Sequence, residues 1–245
     1  MPKQFDVLIQ HAQLRGQPET VDIGIEGGTT TALAERLDGE AELTIDARGN
    51  LVTESFVNPH LHLCKVYTRQ MMDDEALTGY HAEGMGKAMT TIELAARVKE
   101  KYAEEWIIKN VRRALAQAAI HGNTHIRAFA DVDSKARLEG MKALLRAREE
   151  FNGIVEVEVC AFAQDGLVRE PGASTLMRQA MEMGADVAGG IPWIEYTEAD
   201  IRDHVKEIFD LAQEFDKDVS MLVDDAGDAG LRSLEVMAVE AIRRG

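Results

Sequence analysis

The chain has 245 residues, 45% hydrophobic and 29% charged, which is enough to bury one sizeable core and excludes a disordered or fibrous protein. Its formal net charge of -16 argues against a nucleic-acid partner, because phosphate backbones are bound by clustered cations. No apolar run approaches a membrane span, and the N-terminal residues lack a secretion signal, so we expect no membrane partner and a cytoplasmic location. The two cysteines, Cys64 and Cys160, cannot form a CxxC metal knuckle and suit a reducing compartment.

Residues 1–50 predict a small β-rich N-terminal domain. Strand-like runs at 5–9, 21–25 and 42–45 are separated by turns that contain Gly, Pro and Asp.

Residues 51–245 alternate short apolar runs with long amphipathic segments, the pattern of parallel β/α units. The predicted strands are 51–63, 124–131, 155–164, 186–192 and 219–225. The predicted helices are 91–120, 134–149, 173–183, 198–215 and 231–244. Residues 73–87, with three glycines and no regular period, predict a mobile loop at the carboxyl ends of the strands. About five β/α units predict either an open doubly wound sheet or part of an eight-stranded (β/α) TIM-type barrel, and periodicity does not choose between them.

Two histidines, His60 and His62, stand two residues apart at the end of an apolar strand. Because strand side chains alternate, both imidazoles should point to the same side. Two converging imidazoles are good ligands for a borderline divalent ion such as zinc or iron. A strand that carries two surface histidines is the alternative.

The segment LVTESFVNPHLHLCKVYT resembles the first barrel strand of the amidohydrolase superfamily, in which HxH follows a short β-domain. Three later segments, GNTHIRAFADVD, VEVEVCAFAQDGL and GADVAGGIPWIEYT, are similar to strands two to four of cytosine deaminases and of triazine-processing N-alkylammelide amidohydrolases. The resemblance covers essentially the whole chain. It implies a partial TIM-type barrel over 51–245, preceded by the small β-domain.

The resemblance implies that His60 and His62 bind one catalytic divalent metal ion, zinc or iron, with manganese also possible. It places Gln164 at the substrate, where its carboxamide could read a carbonyl and a ring N–H; the alternative is a glutamine that caps a loop. Trp193 could form a wall for a planar ring or simply pack. His125 and Arg127 could face the barrel mouth, although a structural role is favoured.

The fifth strand departs from the family pattern. Leu222 occupies the position of a metal-ligand histidine and cannot bind a metal, whereas Asp225 matches the acid that shuttles protons. Asp225 could accept a proton from the attacking water and pass it to the leaving amine, or it could be a turn residue before the last helix.

The resemblance therefore implies a metal-dependent amidohydrolase or deaminase that acts on a small pyrimidine- or triazine-like nitrogen heterocycle. The alternative is a truncated or degenerate homologue without catalysis that folds by self-association, because only two ligands can be named where a catalytic zinc usually has three. An open parallel sheet exposes an unpaired edge, which predicts a homo-oligomer.

Overall fold

The computed structural model of the protein describes residues 3–71, 98–225 and 228–245. The chain divides into two compact units, one ending at Ser55 and one beginning at Phe56. The predicted loop over 73–87 lies outside the described residues.

The first unit contains a four-stranded sheet in the order β3-β2-β1-β4. Its strands are β1 (Lys3–Gln13), β2 (Thr20–Glu26), β3 (Thr29–Ala34) and β4 (Gly39–Asp46). The three predicted runs are confirmed, but the prediction missed β3. The signal was present, because Gly27 and Gly28 have φ of 58° and 75°, and paired glycines with positive φ suit a tight hairpin between β2 and β3.

The second unit contains a curled parallel sheet in the order β5-β6-β7-β8-β9, half of a (β/α) barrel. Its strands are β5 (Phe56–Leu61), β6 (Asn123–Asp131), β7 (Glu156–Ala163), β8 (Val187–Gly190) and β9 (Asp218–Met221). Each strand pairs with the next along the chain. A doubly wound sheet reverses its strand order at a switch point, so the sequential order decides for the predicted partial barrel.

The five predicted strands are confirmed in position, although β5, β8 and β9 are shorter than predicted. Residues 51–55 do not belong to β5; Leu51 instead forms an isolated bridge with Gln13 in the first unit.

The described helices are α1 (Glu104–Ile120), α2 (Glu139–Glu150), α3 (Ala173–Glu182), α4 (Glu198–Phe215) and α5 (Ser233–Arg244). Three of the predicted helices fit closely. The prediction over 91–120 was wrong at 100–103, where the chain turns and Ala103 is extended before α1. The prediction over 134–149 began too early, because Asp133 Oδ1 accepts the backbone N–H groups of Lys135 and Ala136 and forms a turn there.

Alternation along β6 and β7 separates two faces of the sheet. Small and branched residues such as Ala128, Ala130 and Val159 belong to the main core cluster with the helices. Phe129 and Phe162 belong to a second cluster, against which Trp193 and Leu222 pack. The face of the sheet that carries this second cluster is therefore aromatic.

Several large apolar side chains of the second unit remain exposed. Phe56 and Val57 on β5 are 60% and 64% exposed, and Leu234 and Ile242 on α5 are 54% and 80% exposed. Both β5 and β9 are terminal strands in the described sheet. Among the described helices, none combines the length and apolar character that a membrane span requires.

Candidate active site

The polar residues singled out by the sequence collect at the carboxyl ends of the parallel strands. His60 and His62 lie at the end of β5, Gln164 directly follows β7, and Asp225 follows β9. Barrel enzymes carry their chemistry at this end of the sheet.

The His60 and His62 rings lie side by side, as the spacing predicts. Their centroids are 5.0 Å apart and their planes meet at 74°. Strand β5 ends at Leu61, so His62 begins the short 3₁₀ turn Leu63–Lys65. Phe129 contacts both rings, with centroid distances of 4.2 Å to His60 and 5.3 Å to His62. The aromatic face of the sheet thus packs against both imidazoles.

The surroundings of the two imidazoles favour their neutral form. Burial lowers the pKa of His60 and the Lys65 charge lowers it further, while Asp225 partly opposes both. For His62 burial again lowers the pKa most, Lys65 adds to it, and Asp131 opposes. A metal binds only the neutral imidazole, so both groups keep the binding form to a lower pH than a free histidine.

The donor chemistry of this pair fits a divalent metal. His62 Nδ1 lies 3.4 Å from Asp131 Oδ1, and neither buried atom has a hydrogen bond within the described residues. A carboxylate beside one nitrogen of a histidine is the usual way to aim the other nitrogen at a metal. However, within the described residues no group of three or more His, Cys, Asp or Glu side chains is arranged to hold a metal. Among the described residues, the two imidazoles of His60 and His62 are the side chains of this kind that lie side by side here.

Asp131, at the end of β6, is fully buried and surrounded by cations. Its Oδ2 lies 3.2 Å from Lys65 Nζ and 3.3 Å from Lys99 Nζ. Burial raises the pKa of Asp131, but the charges of Lys65 and Lys99 and the neighbouring His62 outweigh this and hold it well below its ordinary value. Asp131 is therefore ionised at neutral pH behind the histidines, and sequence reasoning did not identify it.

Lys99 joins the ends of β6 and β7 through further carboxylates. Its Nζ donates to Asp133 Oδ2 at 2.8 Å and to Asp165 Oδ1 at 2.9 Å, and its side chain is only 5% exposed. Burial lowers the pKa of Lys99, but the three aspartates raise it more strongly, so that the ammonium stays charged. The aspartates at the strand ends were the available signal for this cluster.

Gln164 is buried and held by Lys65, whose Nζ donates to Gln164 Oε1 at 2.7 Å. Since the same ammonium also contacts Asp131, the predicted substrate residue is connected to the carboxylate behind His62. The structure thus brings His60, His62 and Gln164 into one cluster.

Trp193 and Leu222 lie against the aromatic cluster that supports the histidines. Trp193 is partly buried in the 3₁₀ turn Pro192–Ile194, and its Nε1 is buried without a hydrogen-bond partner among the described residues. Leu222 directly follows β9, where its backbone N–H donates to the carbonyl of Gly190 at 3.0 Å. Leu222 therefore supplies hydrocarbon at the position where the family resemblance implies a ligand.

The two aspartates after β9 differ in what they contact. Asp224 Oδ1 accepts the Ser233 N–H at 2.8 Å, and its Oδ2 accepts the Leu234 N–H at 3.1 Å, so Asp224 secures the start of α5. Asp225 is exposed, and its charge acts on His60. Asp225 lies in a turn before α5, as its alternative role predicts, and Asp224 makes the hydrogen bonds to the helix start.

A second buried pair, Glu195 and His204, was missed by sequence reasoning. Glu195 Oε1 lies 2.7 Å from His204 Nδ1, and both side chains are fully buried. Burial raises the pKa of Glu195. His204 and the backbone N–H groups of Leu167 and Arg169 outweigh this effect, so the pKa lies below its ordinary value. The pair ties the loop after β7 to the segment after β8.

His125 and Arg127 lie in the first half of β6, away from the strand ends. His125 pairs with Glu156 and Arg127 with Glu158, their register partners on β7. The structure thus gives both residues cross-strand polar partners, the structural role that the sequence favoured.

Comparison with known proteins adds independent findings. A family model described as "Amidohydrolase family" matches residues 43–245. The chain is 30% identical to the N-isopropylammelide isopropyl amidohydrolase of Pseudomonas sp. (strain ADP), in an alignment that covers 100% of this chain and 60% of the relative.

Two solved structures are similar over nearly the whole chain. The 5-methylcytosine deaminase from Klebsiella pneumoniae liganded with 5-fluorocytosine is 29% identical with a TM-score of 0.83, covering 97% of this chain and 56% of that one. The N-isopropylammelide isopropylaminohydrolase from Burkholderia multivorans ATCC 17616 is 25% identical with a TM-score of 0.70, covering 98% and 58%. The chain thus spans 56% to 60% of the length of these relatives.

Removal of the Lys99 ammonium should destabilise the protein, because the buried carboxylates lose their counter-charge. We expect Lys99→Met to lower the free energy of unfolding by about 3–5 kcal/mol near neutral pH, because three aspartates lose their shared cation. Lys142→Met is the matched control, because Lys142 forms an exposed 2.9 Å pair with Glu139 that should contribute about 1 kcal/mol or less.

The loss in Lys99→Met should shrink as the pH falls. The depressed pKa of Asp131 means that its ion pairs stabilise the native protein above the ordinary aspartate pKa and are lost only at strongly acidic pH. Without Lys99 the buried Asp131 carboxylate can take up a proton at milder pH, which relieves the variant more than the native chain. Urea unfolding at about pH 7.5 and about pH 5 measures both effects. An equal loss at the two pH values would contradict the ion-pair account.

Proposed function

Because the chain belongs to the amidohydrolase family, we propose that it hydrolyses a carbon–nitrogen bond on a pyrimidine- or triazine-like heterocycle with one divalent metal ion. The relatives named above act on ammelide and cytosine derivatives. The observation that carries the proposal is the convergence of His60 and His62 beside Asp131 at the carboxyl ends of the strands.

In this proposal the two imidazoles hold the metal, which is zinc or iron, with manganese as a further possibility. When bound, such an ion lowers the pKa of water and so makes a nucleophile available near neutral pH. Gln164 orients the ring, Trp193 lies beside it, and Asp225 moves a proton from the attacking water to the leaving nitrogen.

Metal binding gives the first test. His60→Ala and His62→Ala should each weaken zinc binding at least about tenfold, because each removes one of the two imidazoles that we assign as ligands. His125→Ala removes an imidazole that pairs with Glu156 and should leave the affinity unchanged. Titration calorimetry, with elemental analysis of the purified chain, measures the effect. Equal zinc affinity in all three variants would refute the assigned site.

Turnover is tested on the same preparations. Ammonia release from cytosine and from aminotriazines, absent in His60→Ala, would support the enzyme proposal. Leu222 favours a second candidate, a chain that binds a metal without catalysis, because it puts hydrocarbon at a position where the family resemblance implies a ligand. Stoichiometric metal without turnover would support this second candidate.

The proton-transfer role of Asp225 predicts a selective loss. In an active preparation, Asp225→Asn should lower kcat by about 10²–10⁴-fold while metal content stays the same, because the amide cannot accept the proton. Asp224→Asn is the neighbouring control, since Asp224 holds the start of α5. It should cost about 1 kcal/mol in unfolding free energy and leave kcat of the folded protein near normal. An unchanged kcat in Asp225→Asn would exclude the role.

We further propose that the chain self-associates through the exposed apolar residues of β5 and α5. Light scattering should show dimers or larger species, and Ile242→Glu should increase the monomer fraction because Ile242 is 80% exposed on α5. Ile154→Glu is the control, at a residue that is 58% exposed in the turn before β7. A monodisperse monomer of the native chain at all concentrations would rule out the association.

A further inference from the structure

Lys65 stands between the histidines and the predicted substrate residue. It ends the 3₁₀ turn Leu63–Lys65 that directly follows His62, and the Thr68 hydroxyl donates to its carbonyl at 2.8 Å. From this anchored turn its ammonium reaches across the ends of β6 and β7. It donates to Asp131 Oδ2 at 3.2 Å and to Gln164 Oε1 at 2.7 Å.

The chemistry of the ammonium decides which end of the Gln164 carboxamide faces it. A lysine ammonium has three donors and no acceptor, so only the amide oxygen can bind it. The reversed carboxamide would place NH₂ donors against a cation and lose a charge-assisted hydrogen bond. The amide nitrogen must therefore point away from Lys65.

The ammonium itself is held in place from the core side. Asp131 is fully buried, and a second cation, Lys99, contacts the same carboxylate oxygen at 3.3 Å. The Asp131 N–H is also directed at the buried Cys64 sulfur at 3.3 Å. Lys65 thus meets an anion that other core groups also contact, while its own side chain remains 29% exposed. The direction of the Gln164 amide is set by packing that exists before any ligand arrives.

We propose that Lys65 is a positioning residue that turns the Gln164 carboxamide into a hydrogen-bond donor toward the substrate. This inference rests on the proposed function and narrows its substrate class. The site selects a nitrogen heterocycle that presents a ring carbonyl oxygen, an acceptor, to Gln164 Nε2. Recognition of a ring N–H by Gln164 Oε1 becomes secondary, because that oxygen already binds Lys65.

A pair of rings that differ only in the acceptor at C2 tests this selection. 2-Thiocytosine keeps the amino group and ring N–H of cytosine but carries sulfur, a weaker acceptor, in place of the 2-oxo oxygen, so we expect the native chain to bind cytosine at least about tenfold more tightly in calorimetric titration. In Lys65→Met the carboxamide is free to turn, and the preference should fall to about threefold or less. Lys65→Arg, which retains a donor cation, should restore it.

Gln164→Glu provides a variant in which Lys65 keeps its partner. One carboxylate oxygen can still accept from Lys65, but the other is an acceptor and repels a carbonyl. The cytosine preference should therefore be lost in Gln164→Glu although the fold keeps its ion pair. A cytosine preference that survives in both Lys65→Met and Gln164→Glu would overturn the proposal.

The orientation of Gln164 can be measured without any ligand. The side-chain amide NMR signal of Gln164, identified by its absence in Gln164→Glu, should report a rigid group in the native chain and a mobile one in Lys65→Met. An equally rigid amide in Lys65→Met would disprove the positioning role, regardless of the relative affinities for the two rings. A rigid native amide that becomes mobile in Lys65→Met, with no binding of either ring, would support the positioning role and count against the heterocycle substrate instead.

Discussion

The site depends on one buried anion, the carboxylate of Asp131. An ionised carboxylate in the core costs several kcal/mol unless cations and hydrogen-bond donors surround it. Here Lys65 and Lys99 approach it from two segments of the chain, and His62 lies on its other oxygen. The same charge therefore holds the ends of β5 and β6 together and fixes the surroundings of the histidines. The contacts of Asp131 therefore both stabilise the fold and position the residues of the site.

The parallel sheet makes this arrangement possible. Because neighbouring strands run parallel, their carboxyl ends meet along one edge of the sheet, and residues far apart in the chain become neighbours. Alternation along each strand then sends small residues toward the helices and Phe129 and Phe162 to the opposite face. The aromatic floor under the imidazoles is a direct result of this period-2 pattern.

The sequence predicted the features that depend on local residue patterns. The five apolar runs, the paired histidines at a strand end and the position of Gln164 after β7 all follow from periodicity and motif. What it did not predict depends on distant partners: Lys65 meets Gln164 from 99 positions away, and Lys99 meets Asp165 from 66 positions away. The buried pair Glu195 and His204 could not be predicted for a related reason. The sequence of an amphipathic helix does not indicate which residue a buried histidine contacts. The start predicted for α2 was too early because Asp133 accepts two backbone N–H groups and forms a turn before the helix.

The loop that follows Gln164 is clamped on both sides. Asp165 is tied to Lys99, and the Glu195 carboxylate accepts the backbone N–H groups of Leu167, Val168 and Arg169 at 2.6, 3.2 and 2.9 Å. Between them Gly166 has a φ of 98°, and a Cβ there would lie 2.9 Å from Glu195 Oε1. A segment fixed in this way has little conformational entropy left to lose when a ligand arrives. Any ligand that binds beside Gln164 would therefore avoid the ordering cost that flexible binding loops incur, because this segment is already ordered when the chain folds.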